Sequence, residues 1–484
     1  MNKSNFKLII SLLFMVFLFS CSEKDLLPED VNIAPLQEEI PVNANGETFV
    51  SSEQALEIAG KFLSGESGTE TRALANAAVA TVTDEKNNNA PAMYVVNYPE
   101  GGWVIVSATR NYFPVLAHSD KGSFNLENVS QSGISVWVAE TKDAVRLSES
   151  LADSVKVQIN TQWLAYEDAQ KKSLSAPQTR SYQAMYNRIS QLQQMYTSYN
   201  YYFSLAELEN SNDFDADIIS ELLGWAQDYS SPPEYTIVAF RRNNITTFQK
   251  GPLLTTTWGQ WYPFNYFCPP GTSGASGNYP AGCVAVAMGQ IMNYHRKPAL
   301  VSNPYNHKYN WNNMSETYSS SLPVLLRAIG VDVDMSYGTT SLAGIDDAQY
   351  AFKNIYGYTT VTRANHDAAI VKSHLNATPK GRPVYMRGED SINGGGHAWV
   401  CDGVKDEIIQ YEFFVEYFNG SSYSTGNDYT PSNPGVTLSP VPPMTFYNMN
   451  WGWNGEHDGW FYNNFVNPNG YNFQYNRRNL YIIP

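Results

Sequence analysis

The sequence predicts an α+β protein built in successive parts, and three observations carry that prediction. Residues 51–63 repeat apolar side chains at helical spacing, residues 93–118 alternate like strands, and after Lys250 the composition turns rich in Trp, Tyr, Asn and Gly. At 484 residues, 43% hydrophobic and 14% aromatic, the chain has material for more than one core.

The beginning reads as a targeting segment. Lys3 and Lys7 precede an apolar run, Leu8 to Phe19, that is too short to span a bilayer. It ends in Leu18-Phe19-Ser20-Cys21, which resembles the lipoprotein box of bacteria, so residues 1–21 are expected to be a signal peptide with Cys21 lipidated. Residues 22–47, with Glu23, Asp25, Glu29 and Asp30, read as a flexible acidic tether. An exported protein, lipid-anchored at the outer membrane or cell surface of a Gram-negative bacterium, follows as the expectation.

Ser51 and Gln54 fit a capping box before a helix with Ala55, Ile58, Ala59, Phe62 and Leu63 on one face. After a low-complexity stretch, 64–90, residues 93–98 and 103–107 flank a Pro-Glu-Gly-Gly turn as a hairpin, and 114–118 is a third strand. These elements make a small α+β domain over 48–130. Residues 131–245 are expected to be a helical connecting region, with periodicity in 134–170, 182–196 and 217–229, and with an exposed linker containing Pro232-Pro233 and Arg241-Arg242-Asn243-Asn244. Arg180 and Arg241-Arg242 stand in polar breaks suited to proteolytic processing. Short strands are expected to dominate the last part, 246–484.

The chemistry starts at Ala281-Gly-Cys283. From Val284 the apolar positions 284, 287, 288, 291 and 292 mark one buried helical face, so Cys283 stands at a helix N-terminus. The partial positive charge there favours a thiolate. Without Cys21 the cysteines number three, Cys268, Cys283 and Cys401, so at least one thiol is unpaired in an oxidising compartment. No Cys/His spacing suits a metal, and a net charge of −15 argues against nucleic acid.

A nucleophilic cysteine needs a base, an orienting group and oxyanion donors. Of the seven histidines, His397 begins an apolar strand after Gly394-Gly395-Gly396, glycines that let a substrate backbone approach. Asn450, followed by Trp451 and Trp453, offers an amide for the imidazole and indoles that shield it. Gln260, upstream of the cysteine, offers one oxyanion donor and the Cys283 N–H another.

The order Gln, Cys, His, Asn-Trp resembles the papain-like clan. The local wording is similar to the streptopain family of bacterial cysteine peptidases: Gly282-Cys283-Val284-Ala285 with Gln290-Ile-Met and Tyr294-His295, Tyr309-Asn-Trp-Asn-Asn-Met314, Val333-Asp-Met-Ser-Tyr-Gly338, Gly395-Gly-His-Ala398 with Asp402-Gly403, and Asn450-Trp-Gly-Trp453 before Asp458-Gly459. The resemblance implies a papain-like fold over 246–484, with helices on one side, an antiparallel sheet on the other and the substrate cleft between. It implies Cys283 as nucleophile, His397 as general acid/base, Gln260 with the Cys283 N–H as oxyanion hole, Asn450 and Trp451 as support of the histidine, and Gly395, Gly396 and Trp453 along the substrate cleft. Residues 48–130 resemble the family's inhibitory propeptide, the hairpin strand Gly101-Gly-Trp-Val-Ile-Val-Ser-Ala108 included. The expected activity is that of a cysteine endopeptidase made as a zymogen, acting on protein or peptide substrates, with its own propeptide as intramolecular inhibitor and with neither metal nor organic cofactor. The same residues also suit a Cys-His amidase acting on cell-wall peptides, and the aromatic content suits a catalytically silent surface binding protein on the same fold. Residues 405–445 form a Tyr/Ser/Pro-rich excursion where a short hairpin would connect the two motifs.

Overall fold

A computed structural model describes residues 48–484, apart from 68–75, 128, 130–132, most of 152–179, 196–198, 203–204, 210–218, 225–235, 272–276, 300–306, 390–395, 419–422, 426–434, 439–442 and 463–476. The expected signal peptide, Cys21 and the tether lie outside the described residues, as does Gly395.

Helix α1 (Ser52–Ser67) starts with a reciprocal capping box, the Ser51 N–H donating to Gln54 Oε1 at 2.8 Å and the Gln54 N–H to Ser51 Oγ at 3.3 Å. It covers one face of an antiparallel meander, β1 (Ala78–Asp84), β2 (Ala90–Asn97), β3 (Trp103–Ser107) and β4 (Val115–Ser119). Ala55, Ile58, Ala59 and Phe62 pack there on Tyr94, Val96, Val104 and Val106. The strand β1 falls where the sequence read as low-complexity, because its small residues Ala78, Val79 and Ala80 carry little local signal.

The other face of the meander is covered by α2 (Ile134–Leu147), whose Ile134, Val136, Trp137 and Val138 join one core with Trp399, Trp451 and Phe461. The meander does not end at β4. Residues Ala117 and His118 of β4 pair with Phe461 and Trp460 of β13 (Gly459–Tyr462), so the sheet runs on in the order β1-β2-β3-β4-β13-β12-β9-β8-β14-β7. Here β7 is Thr360–Asn365, β8 Val384–Glu389, β9 Gly396–Phe418, β12 Met444–Asn450 and β14 Arg478–Ile483. The strand period of two divides β9 between the faces: Trp399 and Cys401 face α2, whereas Ala398 and Val400 face a layer of helices. That layer holds α5 (Cys283–His295), α6 (Ser321–Asp332) and α7 (Ile345–Tyr350), while α8 (Ala368–Leu375) buries Val371 and Leu375 on the α2 side. The fold is a mixed one of helices and antiparallel sheet, the α+β class that the sequence predicts.

The structure departs from the sequence reading in the middle of the chain. Beyond α3 (Arg180–Met195) and α4 (Leu205–Glu209), the expected helical region contains β5 (Asn200–Tyr202) and a 15-residue strand, β6 (Thr236–Lys250). The expected boundary at 245/246 falls inside β6, and Arg241 lies in mid-strand opposite Glu412. Its partner is β9, which at 23 residues carries the expected excursion outward as strand, with β10 (Tyr423–Thr425) and β11 (Gly435–Leu438) folding back on it. The two segments that could not be placed from sequence are thus each other's partners. Ile189, Leu192, Tyr201 and Ile237 bury against Phe414, and Tyr202, Leu205, Leu208 and Val238 against Phe413 and Val415. Arg188 of α3 grips Glu416 of β9 through Nε and Nη2 at 2.7 and 2.6 Å.

Candidate active site

Gly282 precedes α5 at φ +90°, a conformation that side-chain-bearing residues rarely adopt, and a β-carbon there would lie 2.8 Å from the Met335 methyl. Glycine is therefore what allows the chain to turn into α5 with Cys283 as its first residue. Gln260 is brought to the same place by the backbone, because its carbonyl accepts from the Ala281 N–H at 2.8 Å, two residues before the cysteine. The sheet meets the helix start at β9, where the Ala398 N–H reaches Cys283 Sγ at 3.4 Å. Cys283, the Gln260 backbone and the residue after His397 thus converge. His397 itself is partly buried at the start of β9, opposite Gly388.

Asn450 ends β12 and ties the sheet to α5. Its Oδ1 accepts from Gln290 Nε2 at 2.8 Å and from the Gly452 N–H at 3.2 Å, while its Nδ2 donates to the Thr256 carbonyl at 2.8 Å. Gln290, fully buried, also accepts from Thr256 Oγ1 at 2.8 Å. In this form the Asn450 amide is committed to these groups. Trp451 is buried between Trp399 and Phe461, both at 5.2 Å, and its backbone N–H donates to the Asp458 carboxyl group at 2.8 Å. Trp453 is half-buried at the edge of the same cluster, and Gly396 lies beside the Arg387 guanidinium.

The thiol differs from the expectation. Cys283 is only 7% exposed, and burial pushes its pKa above the usual value although hydrogen bonds from the Ala398, Val284 and Cys283 N–H groups and the Arg387 charge pull the other way. Helix-end polarity is worth little against desolvation here, so the covered cysteine is a thiol. Burial also lowers the pKa of other histidines, to about 3 for His295 and His366 and about 4 for His374, which keeps them neutral. Among the described residues no group of His, Cys, Asp and Glu could hold a metal ion.

What sequence reasoning missed is support rather than chemistry. Gln290 appeared only as a motif residue, although a wholly buried amide on an apolar helix signals a required partner. Arg387, on the strand beside His397, carried no local sign.

Residues 258–461 match the Peptidase C10 family, and residues 47–145 match the Spi protease inhibitor family, a range that takes in the meander and most of α2. The chain is 28% identical to streptopain of Streptococcus pyogenes over 254 residues, 44% of this chain and 54% of that protein. It is 27% identical over 249 residues to the thiol protease/hemagglutinin PrtT of Porphyromonas gingivalis, 44% of this chain and 23% of the other. The match thus spans about half the length of the streptopains. A fragment of prointerpain A of Prevotella intermedia superposes with a TM-score of 0.44 at 18% identity, covering 84% of this chain and 98% of that one.

Proposed function

From the match of residues 258–461 to the Peptidase C10 family and of residues 47–145 to the Spi protease inhibitor family, we propose that this chain is a streptopain-like cysteine endopeptidase made as a zymogen. The observation that carries the reading is the convergence of Gln260, Cys283 and the start of β9 at one helix N-terminus. With the site open, the Cys283 thiolate attacks a peptide carbonyl, and the Gln260 amide and Cys283 N–H hold the oxyanion. His397 protonates the leaving amine, and water then hydrolyses the thioester with His397 as base. Asn450 and Trp451 support the histidine; for Asn450 this requires its Oδ1 to give up a present partner. Gly395, Gly396 and Trp453 border the substrate.

The propeptide is part of the proposal as intramolecular inhibitor. It extends the catalytic sheet through β4 and β13 and covers the Trp399–Trp451 face with α2, while on the other face of the sheet the thiol is buried in the core around α5, which raises its pKa. Activation requires the site to open so that Cys283 meets water, where the helix end can lower its pKa. Export and lipidation at Cys21 are supported by Lys3, Lys7, the apolar run and Leu18-Phe19-Ser20-Cys21, with residues 22–47 as tether to a membrane surface.

The test compares the full chain with Cys283→Ala under reducing conditions, following chain length and casein hydrolysis over time, with and without added trypsin. Hydrolysis by the processed native chain alone is expected; equal hydrolysis by the alanine variant, or none by either after processing, contradicts the proposal. Incorporation of a labelled fatty acid that Cys21→Ser abolishes is the expected result for the anchor, and labelling that persists in that variant contradicts it.

A further inference from the structure

Strands β8 and β9 pair with Arg387 opposite Ala398, the residue whose N–H reaches Cys283 Sγ. Residues opposite one another in an antiparallel pair share a face, so Arg387 and Ala398 both lie on the α5 side, their α-carbons about 5 Å apart. The guanidinium turns back along the strands toward Gly396: a β-carbon on Gly396 would lie 2.7 Å from Arg387 Nη2 and 3.2 Å from Cζ. Gly396 is thus the space in which the guanidinium sits, one residue from His397. Among the described residues its hydrogen-bond partner is Glu389, which accepts from Nη1 at 3.1 Å, and the two side chains are 24% and 35% exposed. One N–H of five is used in that bond, and the side chain is partly open to water. The charge is close enough to the sulfur to pull on the thiol's titration.

From this arrangement we infer that Arg387 selects substrates, giving the cleft a preference for an acidic side chain at the substrate position that lies against the Gly396 edge. The inference rests on the peptidase reading and names its substrate class. A guanidinium presents a planar fork that a carboxylate meets with two parallel hydrogen bonds, and a partly shielded site screens that pair less than open surface does. Glu389 is the resident carboxylate: it holds Arg387 in position on β8 until a substrate carboxylate takes over or shares the fork. An apolar side chain at the same position would strip water from the guanidinium without replacing its hydrogen bonds, and a basic one would meet like charge.

The test uses the processed enzyme from the full chain and peptides in which one position at a time on either side of the scissile bond is Glu, Leu or Lys. At one position Glu is expected to exceed Leu by about tenfold in kcat/KM, a ratio that shrinks at high salt. Arg387→Gln should collapse that ratio, Arg387→Lys should keep part of it, and Glu389→Gln, which frees the fork, should raise it. An acidic preference that survives in Arg387→Gln, or its absence from every position in the native enzyme, overturns the inference while leaving the peptidase reading intact. If the native chain cleaves none of the peptides and no casein, the peptidase reading falls and takes this inference with it.

Discussion

At the scale of residues, the position of Cys283, the proposed nucleophile, depends on a side chain that is missing. Gly282→Ala would force a β-carbon into a left-handed backbone and against Met335, a cost of about 2 kcal/mol or more. Thermal melting should show a Tm lowered by several degrees and casein hydrolysis should fall at least tenfold; a variant with native Tm and activity would refute this account of the turn. Gln290→Leu should cost about 1–3 kcal/mol, because it leaves Asn450 Oδ1 and Thr256 Oγ1 short of a buried partner. The places of Cys283, Gly282 and His397 in the fold were legible in sequence because their signals are local: a helix start, a glycine, a strand start after glycines. Gln290 and Arg387 were not, since what they do depends on Asn450, 160 positions away, and on a strand pairing that periodicity does not reveal.

The elements show the same division. Helix α5 starts at Cys283 as its apolar rhythm requires, and the hairpin of β2 and β3 stands where alternation placed it. Strand β6 was hidden because Arg241-Arg242-Asn243-Asn244 and the prolines before it look like a solvated linker to any local reading. Residues 241–244 become strand only against β9, where Arg241 meets Glu412 at 2.6 Å. A long-range partner decided the element. The consequence for processing is specific: residues from α3 onward are bound to β9 by sheet pairing, by the Phe413–Phe414 cores and by Arg188–Glu416. Intact-mass measurement of the processed protein should find α3 and β6 retained, either in the same polypeptide or co-eluting with it. Loss of everything before residue 246 on gel filtration would contradict the pairing. Glu416→Gln should weaken the grip of α3, lowering Tm and increasing trypsin cleavage within 180–210.

Over the whole molecule, the propeptide and catalytic sheets are one surface, and buried charges lie along the seam. Glu140 of α2 pairs with Arg477 before β14, both nearly inaccessible, so Glu140→Ala would leave a buried guanidinium unpaired at a cost of about 3–5 kcal/mol. That variant should convert to the processed form faster than the native chain in a time course; an unchanged rate would show that the pair does not hold α2 in place. Burial raises Asp402 to about 7 and Asp458 to about 8 in the folded chain, above the usual carboxyl range. A raised carboxyl stabilises the fold below its unfolded pKa, and that stability is lost as pH rises through the folded value. Tm should therefore fall between about pH 4 and 8, and Asp458→Asn should flatten the fall; an unchanged slope in that variant would remove Asp458 as its source.

The central claim is that Cys283 is the nucleophile of a site that stays closed until the chain is processed. It is tested most directly by treating the full chain and its processed form with a thiol-reactive peptide probe at pH 7, and mapping the label by peptide mass. The account predicts label on Cys283 alone, with the processed form reacting faster, because opening the site relieves the burial that raises the thiol's pKa. Equal rates before and after processing, or label on buried Cys268 or Cys401 in place of Cys283, would contradict it.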